Sequence, residues 1–185
     1  MKNAMPALGY TRTAIALHLA IALLIFCALP LGIYMHDLPF SPNRLKLYSY
    51  HKWLGVTVFL LAIGRVLWRL KHPAPPPLSG LPAWQRIAST ATHHLLYVLI
   101  LAVPVSGWLM SSAKGFQTVY LGIIPLPDLL TKDKELGDLL AGVHKVLTFT
   151  LGALVITHLT AALKHHFVDR DGVLARMIPF LDRKP

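Results

Sequence analysis

The stretch LAGVHKVLTFTLGALVITHLTAALK, residues 140–164, decides the fold of this chain. About 20 mainly apolar residues form a helix long enough to cross a bilayer. A histidine inside such a helix is costly and marks a functional site by default. His144 and His158 are fourteen residues apart, which is about 21 Å of helix, and their side chains fall on nearly the same face. The stretch therefore predicts a spanning helix with one imidazole near each membrane surface.

Three further segments, 13–35, 49–70 and 89–112, have a similar length and apolar content. The whole chain of 185 residues is 55% hydrophobic and only 14% charged, which is too apolar for the core of one soluble domain. Lipid cannot satisfy the backbone groups of an open sheet, so these segments are predicted to be helices. We expect an all-α fold, a four-helix transmembrane bundle in which residues 1–185 form a single membrane-embedded domain.

The basic residues are distributed unevenly between the two faces that four crossings create. The face with both termini and the loop between the second and third segments carries eleven Lys and Arg residues, and the other face carries seven. The positive-inside rule therefore predicts that both termini are cytoplasmic. Membrane topology and anionic lipid account for the net charge of +10, so no nucleic-acid partner is expected.

The depths of four histidines predict how they pair. His18 in the first segment and His158 in the last each lie about 8–9 Å inside the cytoplasmic edge, at 1.5 Å per residue. His51 and His144 each lie a few residues inside the external edge. Two pairs result, His18 with His158 and His51 with His144. Two imidazoles at one depth can ligate a haem iron from both sides, which leaves no open position and suits electron transfer.

Small residues accompany the predicted pairs. Gly55 follows His51 by one turn, and Gly142 and Gly152 lie along the last helix. We expect them either to make room for a porphyrin or to allow close packing of helices. His93 and His94 enter the third segment near its cytoplasmic end, either as interfacial polar residues or in contact with a bound group.

Motifs that carry a family resemblance run along nearly the whole chain. They are Ala16-Leu-His18, His51-Lys-Trp-Leu-Gly55, Arg65-Val-Leu-Trp-Arg69, His94-Leu-Leu-Tyr97, Gly142-Val-His144, Thr157-His158, Ala162-Leu-Lys-His-His-Phe167 and Asp169-Arg-Asp-Gly-Val-Leu-Ala-Arg-Met177. The ordered set resembles the bacterial cytochrome b561 family of four-helix di-haem b proteins of the inner membrane. The resemblance implies that the axial ligands of two haem b groups are His18, His51, His144 and His158. One departure is Leu19, where relatives often have Trp.

The resemblance also implies an activity. Members of the family are oxidoreductases that move electrons between the membrane faces, with superoxide as periplasmic donor and ubiquinone as acceptor near the cytoplasmic side. Imidazole relays protons near neutral pH, so the predicted quinone site is Lys164, His165 and His166. Contact with lipid headgroups is the alternative role of these three residues. External basic residues, Arg44, Lys46 and Lys52, are candidates for attracting superoxide. The acidic residues of segment 128–138 would oppose this attraction.

Two other functions fit the same residues. A cytochrome b subunit that exchanges electrons with a protein partner would keep the haem ligands and use the acidic segment 128–138 for docking. A non-haem transporter would use the histidine pairs to bind Zn²⁺ or copper, because neutral imidazole is a common metal ligand. No Asp, Glu or Cys accompanies the pairs at either depth, which counts against the transporter.

Overall fold

The computed structural model describes residues 9–76, 82–178 and 181. It contains four long helices, α1 (Arg12–His36), α2 (Pro42–Lys71), α3 (Ala83–Ala113) and α4 (Lys134–Lys164). All four are long and apolar enough to span a membrane. A two-stranded antiparallel sheet, β1 (Val119–Tyr120) with β2 (Ile124–Pro125), lies between α3 and α4. The prediction of an all-α, four-helix transmembrane bundle is confirmed.

Three helices, α2, α3 and α4, begin about six residues before the predicted segments, and the first turns of α2 and α4 are polar and capped by side chains. The Ser41 side chain accepts a hydrogen bond from the Arg44 amide at 3.2 Å, and Pro42 occupies the first position of α2. The Asp133 side chain accepts one from the Leu136 amide at 3.0 Å and caps α4. Such caps satisfy the otherwise unpaired first amides of a helix. The predicted bounds therefore mark where each apolar run begins rather than where the helix begins.

The apolar core lies in the middle of the bundle, and every helix contributes to it. Its buried residues are Ile21, Ile25, Val58, Ala62, Leu99, Ile100 and Leu151. Leu151 is seven residues from both His144 and His158, so the core separates the two depths at which histidines lie. Helices that follow one another in the chain pack against each other, whereas the backbones of α1 and α4 lie further apart and these two helices meet through side chains.

The two ends of the bundle differ. We call the end that carries the start of α1 and the end of α4 the terminal end, and the opposite end the loop end. Three side chains tie the connection between α3 and α4 to the loop end. Lys52 Nζ donates to the Phe116 carbonyl at 2.8 Å, and Trp53 Nε1 donates to that of Val119 at 2.7 Å. Trp108 Nε1 donates to the Pro127 carbonyl at 3.1 Å, which completes a cap over this end.

Candidate functional site

The four histidines lie as two pairs. The ring centroids of His51 and His144 are 6.4 Å apart, with the ring planes at 89°. Those of His18 and His158 are 6.1 Å apart, with planes at 81°. With metal–nitrogen bonds of about 2 Å, two imidazoles that ligate one ion from opposite sides have centroids about 6 Å apart. Each pair therefore has a separation suited to one metal ion, the first at the loop end and the second at the terminal end.

Hydrogen bonds fix the rings of the loop-end pair. His51 Nδ1 lies 3.1 Å from the Ala28 carbonyl oxygen. His144 Nδ1 lies 3.1 Å from the Val103 carbonyl oxygen and 3.0 Å from Ser106 Oγ. Since a carbonyl only accepts, Nδ1 carries the proton in each ring and Nε2 keeps its lone pair. Metal-ligating histidines almost always donate their other N–H in this way.

Two glycines hold these rings in place by leaving room for them. A Cβ added to Gly32 would lie 2.9 Å from His51 Cε1, and one added to Gly107 would lie 3.0 Å from His144 Cε1. Each glycine follows the accepting carbonyl, that of Ala28 or Val103, by four residues. Residues four apart share a helix face. The face of α1 toward His51 and the face of α3 toward His144 therefore each offer a carbonyl that accepts the ring's hydrogen bond and a glycine that leaves room for the ring.

A cavity of about 1490 Å³ opens beside the loop-end pair and is lined by both histidines. Small-molecule pockets are typically about 300–1,000 Å³, so this one has room for a porphyrin. Gly55 and Gly142 line it and have open space where a Cβ would lie. This favours the expectation that they make room for a porphyrin. At Gly152 a Cβ would meet Leu29 Cδ1 at 3.4 Å, which favours close packing.

The terminal-end pair has a third imidazole beside it. The centroid of His93 is 5.2 Å from that of His158, with the planes at 78°. His93 Nδ1 donates to the Ser89 carbonyl at 2.7 Å. Arg65 donates to the Ala14 carbonyl at 2.6 Å, one helical turn before His18. From the sequence, His93 was expected to be either an interfacial polar residue or a contact of a bound group, and its ring lies against a member of this pair.

The residues predicted to bind quinone are brought together only in part. A π-helical turn, His165–Asp169, follows α4. Lys164 Nζ lies 2.6 Å from Asp169 Oδ2, and His165 Nδ1 contacts both Asp169 and Asp171. The His166 ring instead lies against Phe167, with 4.8 Å between centroids. Lys164 and His165 thus pair with carboxylates of their own turn.

Comparison with known proteins identifies the family. A model of the prokaryotic cytochrome b561 family matches residues 9–180. The chain belongs to this family. Members are membrane electron-transfer proteins that bind haem b, and the paired imidazoles and the loop-end cavity described above suit such a group. Membership confirms the resemblance found in the sequence and favours haem over the non-haem metal transporter.

Three curated relatives match the chain over most of their length. The chain is 32% identical over 164 residues to cytochrome b561 homolog 2 of Escherichia coli strain K12, covering 88% of this chain and 87% of that one. It is 29% identical to homolog 1 of the same strain, covering 75% and 78%. It is 28% identical to a probable superoxide oxidase CybB of Yersinia pestis, covering 71% and 78%.

Proposed function

We propose that this protein carries electrons across the bacterial inner membrane through two haem b groups, with both termini in the cytoplasm. His51 and His144 hold one group at the loop end, and His18 and His158 hold the other at the terminal end. The proposal rests chiefly on the two pairs, whose ring centroids are 6.4 and 6.1 Å apart. Haem b ligated by two imidazoles exchanges single electrons and leaves no open position for oxygen.

The rest of the bundle keeps the two sites apart and dry. Apolar side chains from all four helices fill the middle layer, with Leu151 halfway between the α4 ligands. Burying a proton or hydrated ion in such a layer is costly. Electrons are therefore the only charge that crosses, and protons enter or leave at each end separately.

We propose superoxide as the donor at the loop end. The described charged residues that line the loop-end cavity are Asp37, Arg44, Lys52, Lys114 and Lys145. None of the acidic residues at 128, 133, 135 and 138 lines it, although Asp138 pairs with Lys114 at 3.1 Å. The excess of positive charge suits an anionic substrate. One of the relatives is named a probable superoxide oxidase, which supports the same choice.

We propose ubiquinone as the acceptor at the terminal end. Two superoxide anions give up two electrons and become two molecules of dioxygen, and one quinone takes up those electrons with two protons to become quinol. Lys164, His165 and His166 are the proposed quinone site. His165 contacts the Asp171 carboxylate, and such a pair passes protons between solvent and a bound quinone.

A second candidate function keeps the haems and replaces superoxide by a protein donor or acceptor. The acidic side chains of the loop-end connection and of the start of α4, Asp128, Asp133, Glu135 and Asp138, are exposed. A basic redox protein would find a complementary surface there. In that case the protein is a cytochrome b subunit rather than an oxidase.

Absorption and rapid-mixing measurements test the proposal. The purified protein should show two b-type bands on reduction, and superoxide should reduce them within milliseconds in a stopped-flow instrument. Added soluble quinone should then reoxidise them. A colourless protein contradicts haem binding altogether. A coloured protein that is inert to superoxide and to quinone, yet is reduced by a partner protein, establishes the second function.

Lys145→Gln tests the role of the cavity charge. Lys145 is exposed and lines the loop-end cavity, whereas Lys46 is exposed at the same end and does not line it. We expect the rate constant for superoxide to fall about threefold at low salt in Lys145→Gln and to stay unchanged in Lys46→Gln. The difference should vanish at high ionic strength, because salt screens such attraction. Equal rates for both variants at low salt contradict steering by the cavity.

Ser106→Ala tests the support of His144. The hydroxyl lies 3.0 Å from His144 Nδ1 and donates to the Val103 carbonyl at 2.8 Å. Removing a group behind a metal ligand typically lowers affinity about 10–100-fold, and we expect the lower value because the carbonyl remains. Haem affinity is measured by titration into the apoprotein. Thr150→Ala is the control, since its hydroxyl donates to the Val146 carbonyl of its own helix and it does not line the loop-end cavity. An equal loss there contradicts a specific role of Ser106.

A further inference from the structure

A second cavity, of about 360 Å³, lies at the terminal end between α1, the end of α2 and α3. Neither His18 nor His158 lines it. Its walls come from residues 9–14 at and just before the start of α1, from Tyr97 on α3, and from residues within 65–76, which include the proline-rich segment after α2. The cavity is therefore separate from the two histidine pairs.

The charge of this cavity is strongly one-sided. Arg65, Arg69 and Lys71 line it, and the Arg176 guanidinium donates at 2.7 Å to the carbonyl of Pro76 in its wall. Among the described residues that line it there is no Asp or Glu. The adjoining segments 1–8 and 77–81 contain none either. The described lining thus holds positive charge that it does not itself neutralise.

Aromatic side chains hold two of the cations in place. The Arg65 guanidinium carbon lies 5.8 Å from the centroid of the Tyr97 ring, and that of Arg69 lies 5.7 Å from the Tyr10 ring. Trp68 Nε1 donates to Thr11 Oγ1 at 2.9 Å and so links α2 to the start of α1. Stacking on a ring leaves the N–H edge of a guanidinium accessible, and although one Arg65 nitrogen donates to the Ala14 carbonyl at 2.6 Å, a guanidinium has five N–H donors in all. The donors are therefore arranged before a ligand arrives.

The depth of the cavity matches the lipid headgroups. Lys71 is the last residue of α2, and Arg65 lies six residues, or about 9 Å, further in. Basic pockets between spanning helices at this depth recognise the headgroups of anionic lipids. We propose that this cavity binds the phosphate of an anionic phospholipid such as phosphatidylglycerol.

The chemistry of the cavity favours an anionic lipid over phosphatidylethanolamine and over a neutral quinone. Guanidinium groups bind phosphate oxygens through two parallel hydrogen bonds. The ammonium group of phosphatidylethanolamine would be repelled by the same cations, whereas the glycerol of phosphatidylglycerol carries no charge. A neutral quinone would leave the positive charge uncompensated. This site is independent of the haem ligands and of the proposed electron donor.

Native mass spectrometry of the haem-loaded full chain tests the site. The protein is delipidated in detergent and titrated with phosphatidylglycerol or phosphatidylethanolamine. We expect one tightly bound phosphatidylglycerol in the wild type. In Arg69→Gln/Lys71→Gln its binding should weaken about thirtyfold, since each cation near an anionic lipid contributes about fivefold. The haem spectrum of this variant should be unchanged.

The control removes the same charge from the same end of the bundle. Arg12 and Arg86 are exposed and do not line the cavity, so Arg12→Gln/Arg86→Gln should bind phosphatidylglycerol as the wild type does. Equal weakening in the two double variants overturns the proposal in favour of general attraction. If the wild type binds phosphatidylethanolamine as tightly as phosphatidylglycerol, the proposal is overturned as well. Displacement of the lipid by excess inorganic phosphate assigns the cavity to free phosphate and also overturns it.

Discussion

The double variant Gly32→Ala/Gly107→Ala is expected to lose the loop-end haem while the terminal-end haem stays bound. The two added Cβ atoms would lie 2.9 and 3.0 Å from Cε1 of His51 and His144, closer than such atoms ordinarily approach. A ring is the mobile end of a side chain, so the rings move and the helices do not. Ligands must stay within about 0.5 Å of their productive geometry. The haem content, measured by the pyridine haemochrome assay, should fall from two per chain to about one.

A matched control separates this effect from helix propensity. Gly64 lies within α2, has nothing within 4 Å of an added Cβ, and does not line the loop-end cavity. Gly64→Ala should therefore keep both haems, and its thermal stability should rise slightly because Ala favours the helix. Two haems in the double variant, with an unchanged spectrum, would show that the glycines do not position the rings.

The helices and the depths of the histidines were predictable because they depend on local properties. About 20 apolar residues define a crossing, and a constant rise per residue gives the depth of each side chain along its helix. Residues 140–164 alone supply both quantities for His144 and His158. The helix starts were less predictable, since Ser41 and Asp133 extend α2 and α4 past their apolar runs into polar sequence.

The groups that hold the rings could not be predicted, because they depend on which helices are neighbours. The acceptors of His51 and His144 are carbonyls 23 and 41 residues away along the chain. Gly55 and Gly142 lie near the histidines in sequence, yet the glycines whose added Cβ atoms would meet the rings are Gly32 and Gly107. Gly32 and Gly107 each lie close to a proline of the same helix, Pro30 or Pro104. Such a glycine could be predicted to contact a histidine ring only if the neighbouring helix were already known.

His158→Ala should remove the terminal-end haem and leave the loop-end haem unchanged. The centroids of His18 and His158 are 6.1 Å apart, and His158 is fourteen residues from His144, about 21 Å along α4. One imidazole cannot hold the iron as two do, so haem content should fall to about one per chain. The b-type band of the remaining haem should match that of the loop-end haem. Transfer of electrons from superoxide to quinone should fall at least about 100-fold, because the path ends halfway across.

The neighbouring imidazole supplies the control. The centroid of His93 is 5.2 Å from that of His158, so His93→Ala removes a ring from the same region without removing a proposed ligand. It should keep both haems and both bands. If His93→Ala loses a haem and His158→Ala does not, then His93 is the ligand on that side. If His158→Ala loses the haem that the double glycine variant also loses, the pairing of His158 with His18 is wrong.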